Sequence, residues 1–119
     1  KYIVDGIVMY RNRIHTIIDT LGLNNYELSY VRHPVNRAEL SGVPLTKEIL
    51  EKNGWKKSKI NDCAYFYYKD GLFLTYTSKD GKFWFDDFDY SSSICVELPY
   101  VHSLQHLLFG LGVNHKMEV

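Results

Sequence analysis

Two Asp-Gly pairs decide what the middle of this chain can become. Asp70-Gly71 and Asp80-Gly81 each sit between runs rich in aromatic and β-branched residues. Asp-Gly tolerates the positive φ angles of a tight hairpin turn, so the pair marks where one strand folds back on the next. Cys63 to Tyr68, Leu72 to Thr77 and Lys82 to Phe88 therefore read as a three-stranded antiparallel meander. A fourth run, Ser93 to Leu98, alternates Ile94, Val96 and Leu98 toward the core and extends the same sheet. Tyr65, Phe66, Tyr67, Tyr68, Phe73, Tyr76, Phe83, Trp84, Phe85, Phe88 and Tyr90 lie in this stretch, eleven of the chain's 18 aromatics within 26 residues.

The flanks complete an α+β plan. Gly6 to Tyr10, Ile14 to Asp19 and Tyr26 to Val31 read as short N-terminal strands, broken at Arg11-Asn12-Arg13 and at Leu23-Asn24-Asn25. Ile14, Ile17, Ile18 and Leu21 also fit helical spacing, but the segment is short and rich in Ile and Thr, which favours strand. Tyr26, Leu28 and Tyr30 fall on one face. His33-Pro34 to Gly42 reads as an irregular connector. A short helix starts at Thr46, whose hydroxyl caps it. Leu45 and Leu50 form a staple, and Asn53-Gly54 stops the helix before a packing Trp55. Pro99 opens a second helix, Tyr100 to Leu111, with Val101, Leu104, Leu107, Leu108 and Leu111 as its apolar stripe. The tail, Asn114 to Val119, reads as frayed. The expected architecture is a single α+β domain over 1–119. Small β-barrel-like strands occupy 1–42; the helix, the aromatic meander and the C-terminal amphipathic helix occupy 43–119.

Composition narrows the function classes. Lys plus Arg equals Asp plus Glu, 14 each, so no global field draws in nucleic acid or an anionic membrane. No apolar run approaches the roughly 18 residues of a membrane span, and no leader pattern follows Lys1. Cys63 and Cys95 read as free thiols in strands, each a small buried hydrophobe in a reducing compartment. His102 and His106, four apart on a helix, share a face and could chelate a metal. However, Ser103 stands where a zinc hydrolase carries its Glu, so no metal and no cofactor is assigned. Asp80, Asp86, Asp87 and Asp89 lack the spacing of a calcium loop and read as a solvated edge. Ser91-Ser92-Ser93 has no His-Asp partner nearby in sequence, and no catalytic residue is assigned.

What remains is binding chemistry. Alternate strand residues face opposite sides, so the meander carries more tyrosine than one core face needs. Tyr65, Tyr67, Tyr76 and Trp84 are the candidate stacking surface. Arg11, Arg13, Lys56 and Lys57 are the candidate phosphate contacts, should the basic residues (Lys59, Arg32 and Arg37 among them) converge.

Two segments carry a resemblance. Val43-Pro44-Leu45-Thr46-Lys47-Glu48-Ile49-Leu50 followed by Asn53-Gly54-Trp55 is one. Leu98-Pro99-Tyr100-Val101-His102-Ser103-Leu104-Gln105 with Leu108-Phe109 and Leu111 is the other. Together, and in this order, they resemble a family of small proteins of Bacteroidetes phages and mobile elements. The chain departs from the family pattern at His106, where Asn is usual, and after Leu111, where a Thr-Gly pair is usual. The family brings no activity to transfer. The resemblance implies a phage-like gene acting in the host bacterial cytoplasm, with Tyr100, His102 and Gln105 as motif residues of the final helix. The resulting expectation is a non-enzymatic, homo-oligomeric counter-defence protein that sequesters a host nucleotide immune signal. A host protein is the alternative partner, through an inhibitor or virion accessory role; a nucleic-acid binder ranks below both.

Overall fold

The computed structural model describes residues 2–86 and 95–119. The chain divides into two compact units, Lys1–Pro44 with Tyr100–Met117, and Leu45–Pro99 with Glu118–Val119. The C-terminal helix therefore belongs with the N-terminal strands, although the meander separates them in sequence.

The first unit is a five-stranded antiparallel sheet. Its strands are β1 (Ile7–Tyr10), β2 (Arg13–Leu21), β3 (Asn25–Leu28), β4 (Val35–Asn36) and β5 (Ser41–Gly42), in the order β4-β3-β2-β1-β5. The β1–β2 hairpin turns on Arg11 and Asn12, both at positive φ (48° and 63°), the pair of angles that matches strand twist. Val8, Tyr10, Ile17, Tyr26, Leu28 and Val35 form its core. Ile7, on the opposite side of β1 from Val8 and Tyr10, is buried as well, so β1 is covered on both faces. Helix α2 (Val101–Gly110) packs on β1 and buries Val101, Leu104 and Leu108.

Several expectations for this unit are corrected. The sheet is an open ladder, ending at β4 and β5 among the described residues, and not a closed barrel. The connector from His33 to Gly42 holds β4, a 3-10 turn over Arg37–Glu39, and β5. Its order comes from a capping box: Asn36 Oδ1 accepts from Ala38 N at 2.9 Å, and Glu39 accepts from Asn36 N at 3.3 Å. Tyr30 does not continue the Tyr26–Leu28 face; it sits at φ 62° past the end of β3 and is fully exposed. The segment from Ile14 is a strand as read: Ile17 is fully buried on one face of β2, while Ile14 and Ile18 on the other stay half exposed, and the register with β3 shifts between Ile17 and Asp19. In α2, Leu111 lies just past the last turn and is exposed, so the buried stripe is shorter than its sequence pattern.

The second unit is a five-stranded meander with one short helix. Its strands are β6 (Lys56–Asn61), β7 (Ala64–Lys69), β8 (Leu72–Thr77), β9 (Lys82–Asp86) and β10 (Cys95–Glu97), in the order β10-β9-β8-β7-β6. Both Asp-Gly turns form as read. Asp70 and Gly71 have φ of 51° and 79°, and Gly81 has φ 67°. Asp80 accepts from the Thr77 hydroxyl and from Lys82 N, which fixes the second turn.

Helix α1 (Lys47–Lys52) is capped by Thr46, whose Oγ1 accepts from Ile49 N at 3.2 Å. Leu45, Leu50 and Trp55 are all buried, as the staple requires. Lys69 Nζ donates to Asn53 O at 2.7 Å, a cation placed at the negative end of the helix. Thr46→Ala is expected to cost about 1 kcal/mol, and Thr46→Asn much less; urea denaturation of the two variants measures the difference.

Four readings in this unit are corrected. Lys56 to Asn61, to which the sequence assigned no strand, forms β6, with all six residues exposed. Cys63 is an exposed turn residue, not a buried strand hydrophobe. Val96 is exposed, whereas Leu98 is buried as expected; Ile94 lies outside the described residues, as do Asp87, Asp89 and Ser91-Ser92-Ser93. The tail is tied down: Glu118 N donates to Asn53 Oδ1 at 2.8 Å and Asn53 Nδ2 donates to Glu118 O at 2.7 Å. In the first unit, His115 O accepts from Gln105.

Candidate functional site

The meander brings three of the expected binding residues together and adds a fourth. Tyr65 and Tyr76 are directly opposed on β7 and β8, with ring centroids 6.4 Å apart. Tyr76 in turn lies 4.8 Å from the Phe83 ring on β9. An ammonium group stands over each tyrosine. Lys57 Nζ is 4.3 Å from the Tyr65 centroid, and Lys47 Nζ, on the first turn of α1, is 4.8 Å from that of Tyr76. Both distances are in the range where a ring quadrupole attracts a cation. A shallow cleft of about 260 Å³ opens beside Tyr76 and Lys47, lined by Leu45, Thr46, Lys47, Glu48, Tyr76, Gly81 and Phe83. Among the described residues, Glu48 is the single carboxylate in that lining. Lys47 read in the sequence only as a helix former; its position over Tyr76 depends on how α1 lies on the sheet.

The other expected residues fall elsewhere. Tyr67 is fully buried, 5.9 Å from the Phe83 ring, so it is core rather than stacking surface. Burial, followed by the charge of Glu51, pushes its phenol up to about 12. Trp84 pairs with Thr75 and Glu97 on the opposite face of the sheet. Lys56 also points to that face, since it precedes Lys57 on the same strand. Arg11 and Arg13 belong to the first unit's β1–β2 hairpin, where the Arg11 guanidinium lies 5.2 Å from the Tyr10 ring. The meander face that carries Trp84 is itself aromatic. Phe73 lies 6.3 Å from Phe66 and 6.2 Å from Tyr68, and Phe73 and Tyr68 are 45% and 38% exposed.

The first unit holds a second polar cluster. His102 is stacked on Tyr100 (5.3 Å, 20°), meets Tyr2 edge-on (5.0 Å) and faces His106 at 6.2 Å. Gly42 makes the stack possible, because a Cβ there would fall 2.5 Å from Tyr100 Cγ. A cleft of about 370 Å³ is lined by Tyr2, Arg37, His102, Ser103 and His106. His106 Nε2 is buried without a hydrogen-bond partner. Burial, helped by the neighbouring His106, lowers the His102 imidazole to about 4, and burial lowers His106 as well. Burial raises the Tyr2 phenol, while the Arg37 guanidinium beside it acts in the opposite sense. Among the described residues, no three His, Cys, Asp or Glu side chains come together to hold a metal.

Gln105, the third motif residue of α2, lines neither cleft. Its Oε1 accepts from Ile7 N at 2.8 Å, and its Nε2 donates to Asp5 O at 2.8 Å and to His115 O at 3.0 Å. It is fully buried and ties α2 to β1 and to the segment after α2.

The histidine shifts have a direct consequence in acid. The unfolded chain protonates His102 near the ordinary histidine value, while the folded protein resists protonation until about 4. The stability held above pH 6.5 is therefore lost as the pH falls toward 4, by about 1–3 kcal/mol from this residue. Urea midpoints at pH 7 and 4.5 should differ less in His102→Asn than in the unaltered protein.

No protein-family profile, curated protein or solved structure matches the chain. Among the described residues, no helix is long and apolar enough to cross a membrane.

Proposed function

We propose that this is a non-enzymatic binding protein that captures a nucleotide-class ligand at the Tyr65–Tyr76 pair. The observation that carries the reading is the pairing of two adjacent tyrosine rings with two ammonium groups, Lys57 and Lys47. A planar base gains stacking energy on tyrosine, and a phosphate gains from an ammonium within the same reach. An incoming base would replace the lysines over the rings and leave them free to turn toward its phosphates. The resemblance to phage and mobile-element proteins supplies the setting. The ligand would be a host nucleotide immune signal, sequestered in the bacterial cytoplasm by a homo-oligomer.

Calorimetry with a panel of cyclic and linear nucleotides tests the reading. Binding of at least one is expected, weakened about tenfold or more by Tyr76→Ala and also weakened by Lys47→Ala. Mass spectrometry should recover the nucleotide intact. Absence of heat across the panel ends the proposal, and a cleaved nucleotide replaces sequestration with hydrolysis.

One observation favours a second reading. The exposed Phe73 and Tyr68, with Phe66 and Trp84 on the same face, resemble the aromatic anchors of a protein-binding patch. A host partner recovered in stoichiometric amount, and lost on Phe73→Asp, would favour an inhibitor or accessory role.

A further inference from the structure

We propose that the cleft between Arg37 and the first turns of α2 is an oxyanion site, taking a phosphate or carboxylate group carried on a small molecule. It is separate from the tyrosine–lysine cluster and does not depend on it. Three observations set the sign of the ligand's charge. Among the described residues, Arg37 is the charged lining residue, and no carboxylate or thiol lines the cleft. The first turn of α2, which contributes His102 and Ser103, carries no acidic side chain. Two imidazoles four residues apart can chelate a metal, but Arg37 repels a cation and no third ligand is within reach among the described residues.

The donors suit an oxyanion. A guanidinium offers a planar fork of N–H groups, and Ser103 offers a hydroxyl. His106 Nε2 is buried and unpartnered, a state that costs free energy until something fills it; with the proton on that nitrogen, it donates to an anion's oxygen. Burial keeps both imidazoles neutral, so they act as hydrogen-bond groups rather than as competing charges for water.

The backbone that carries Arg37 is also held in place before any ligand arrives. Its backbone N–H donates to Asn24 O at 2.7 Å, and the Asn36–Glu39 capping box fixes the turn on which it sits. The nearest acidic side chain on that turn, Glu39, already accepts from Asn36 N. Such preorganisation lowers the ordering cost of binding. A volume of about 370 Å³ exceeds what a bare phosphate fills and falls in the range of small-molecule sites, so the anion is one end of a larger molecule.

The test follows the histidine side chains of the full chain by heteronuclear NMR. Phenyl phosphate and benzoate are titrated separately at fixed ionic strength, with zinc chloride as a third arm. Saturable movement of the His102 and His106 signals by at least one of the two anions is expected, while His15 and His33 stay put. The responding anion tells phosphate from carboxylate. Arg37→Gln should weaken that binding about tenfold, the loss of one charge-assisted contact. Arg37 is exposed, so the fold should survive the change, and unmoved His15 signals verify this. No saturable shift with either anion overturns the proposal. So does equal affinity in Arg37→Gln, and so does tighter, Arg37-independent saturation by zinc, which would make the cleft a metal site.

Discussion

Gln105→Ala is expected to cost about 3–5 kcal/mol, the largest loss expected from any polar side chain among the described residues. The side chain is fully buried and meets three backbone groups: Ile7 N, Asp5 O and His115 O. Truncation leaves the Ile7 amide without an acceptor and opens a cavity under α2. Gln105→Leu fills most of the volume but restores no bond, so it should be nearly as damaging. Gln105→Glu keeps an acceptor for Ile7 N but sets a carboxylate against two carbonyl oxygens. Chemical denaturation gives the cost, and amide exchange at Ile7 gives the location. A Leu variant as stable as the parent would show that packing, and not the three bonds, holds α2 to β1.

Leu50→Ala should cost about 2–5 kcal/mol in the second unit. A helix of about two turns has little stability alone, so α1 persists because its buried face is held. Leu50 is that face, fully buried, flanked by the Leu45 staple and by Trp55, whose N–H donates to Leu50 O at 3.0 Å. The same helix positions Lys47 over Tyr76. Loosening it should therefore weaken the proposed nucleotide binding together with stability. Lys47→Ala removes the charge while leaving stability nearly unchanged. A stable Lys47→Ala variant with undiminished affinity would detach the helix from the site.

The sequence was most legible where a single local device decides the backbone. The turns at Asp70-Gly71 and Asp80-Gly81, the Thr46 cap and the Asn53-Gly54 stop all depend on a few adjacent residues and form as read. The expected site was legible in part: Tyr65, Tyr76 and Lys57 do meet, because strand register follows from the turns. Tyr67 was misplaced because tyrosine alternation puts it on the same face as Tyr65 and Tyr76 but cannot say which part of that face is covered. β6 was missed because Lys56-Lys57-Ser58-Lys59-Ile60-Asn61 has no apolar alternation; it is an edge strand, where exposed lysines are expected. The Arg37–His106 cleft was invisible because its residues lie on segments about 70 positions apart, joined only by the tertiary fold.

The bond from Ile7 to Gln105 spans 98 positions. A ribosome making this chain exposes β1 early, yet the helix that covers it follows the whole meander. The second unit lies almost entirely within the interval, its strands joined to their sequence neighbours, so its contacts are local and its sheet can pair before α2 emerges. Until α2 emerges, the Ile7 side of β1 lacks its cover, and that apolar strand is exposed to mispairing. Synthesis order thus makes the N-terminal sheet the last part to mature, and truncation before Gln105 should leave it, rather than the meander, prone to aggregate.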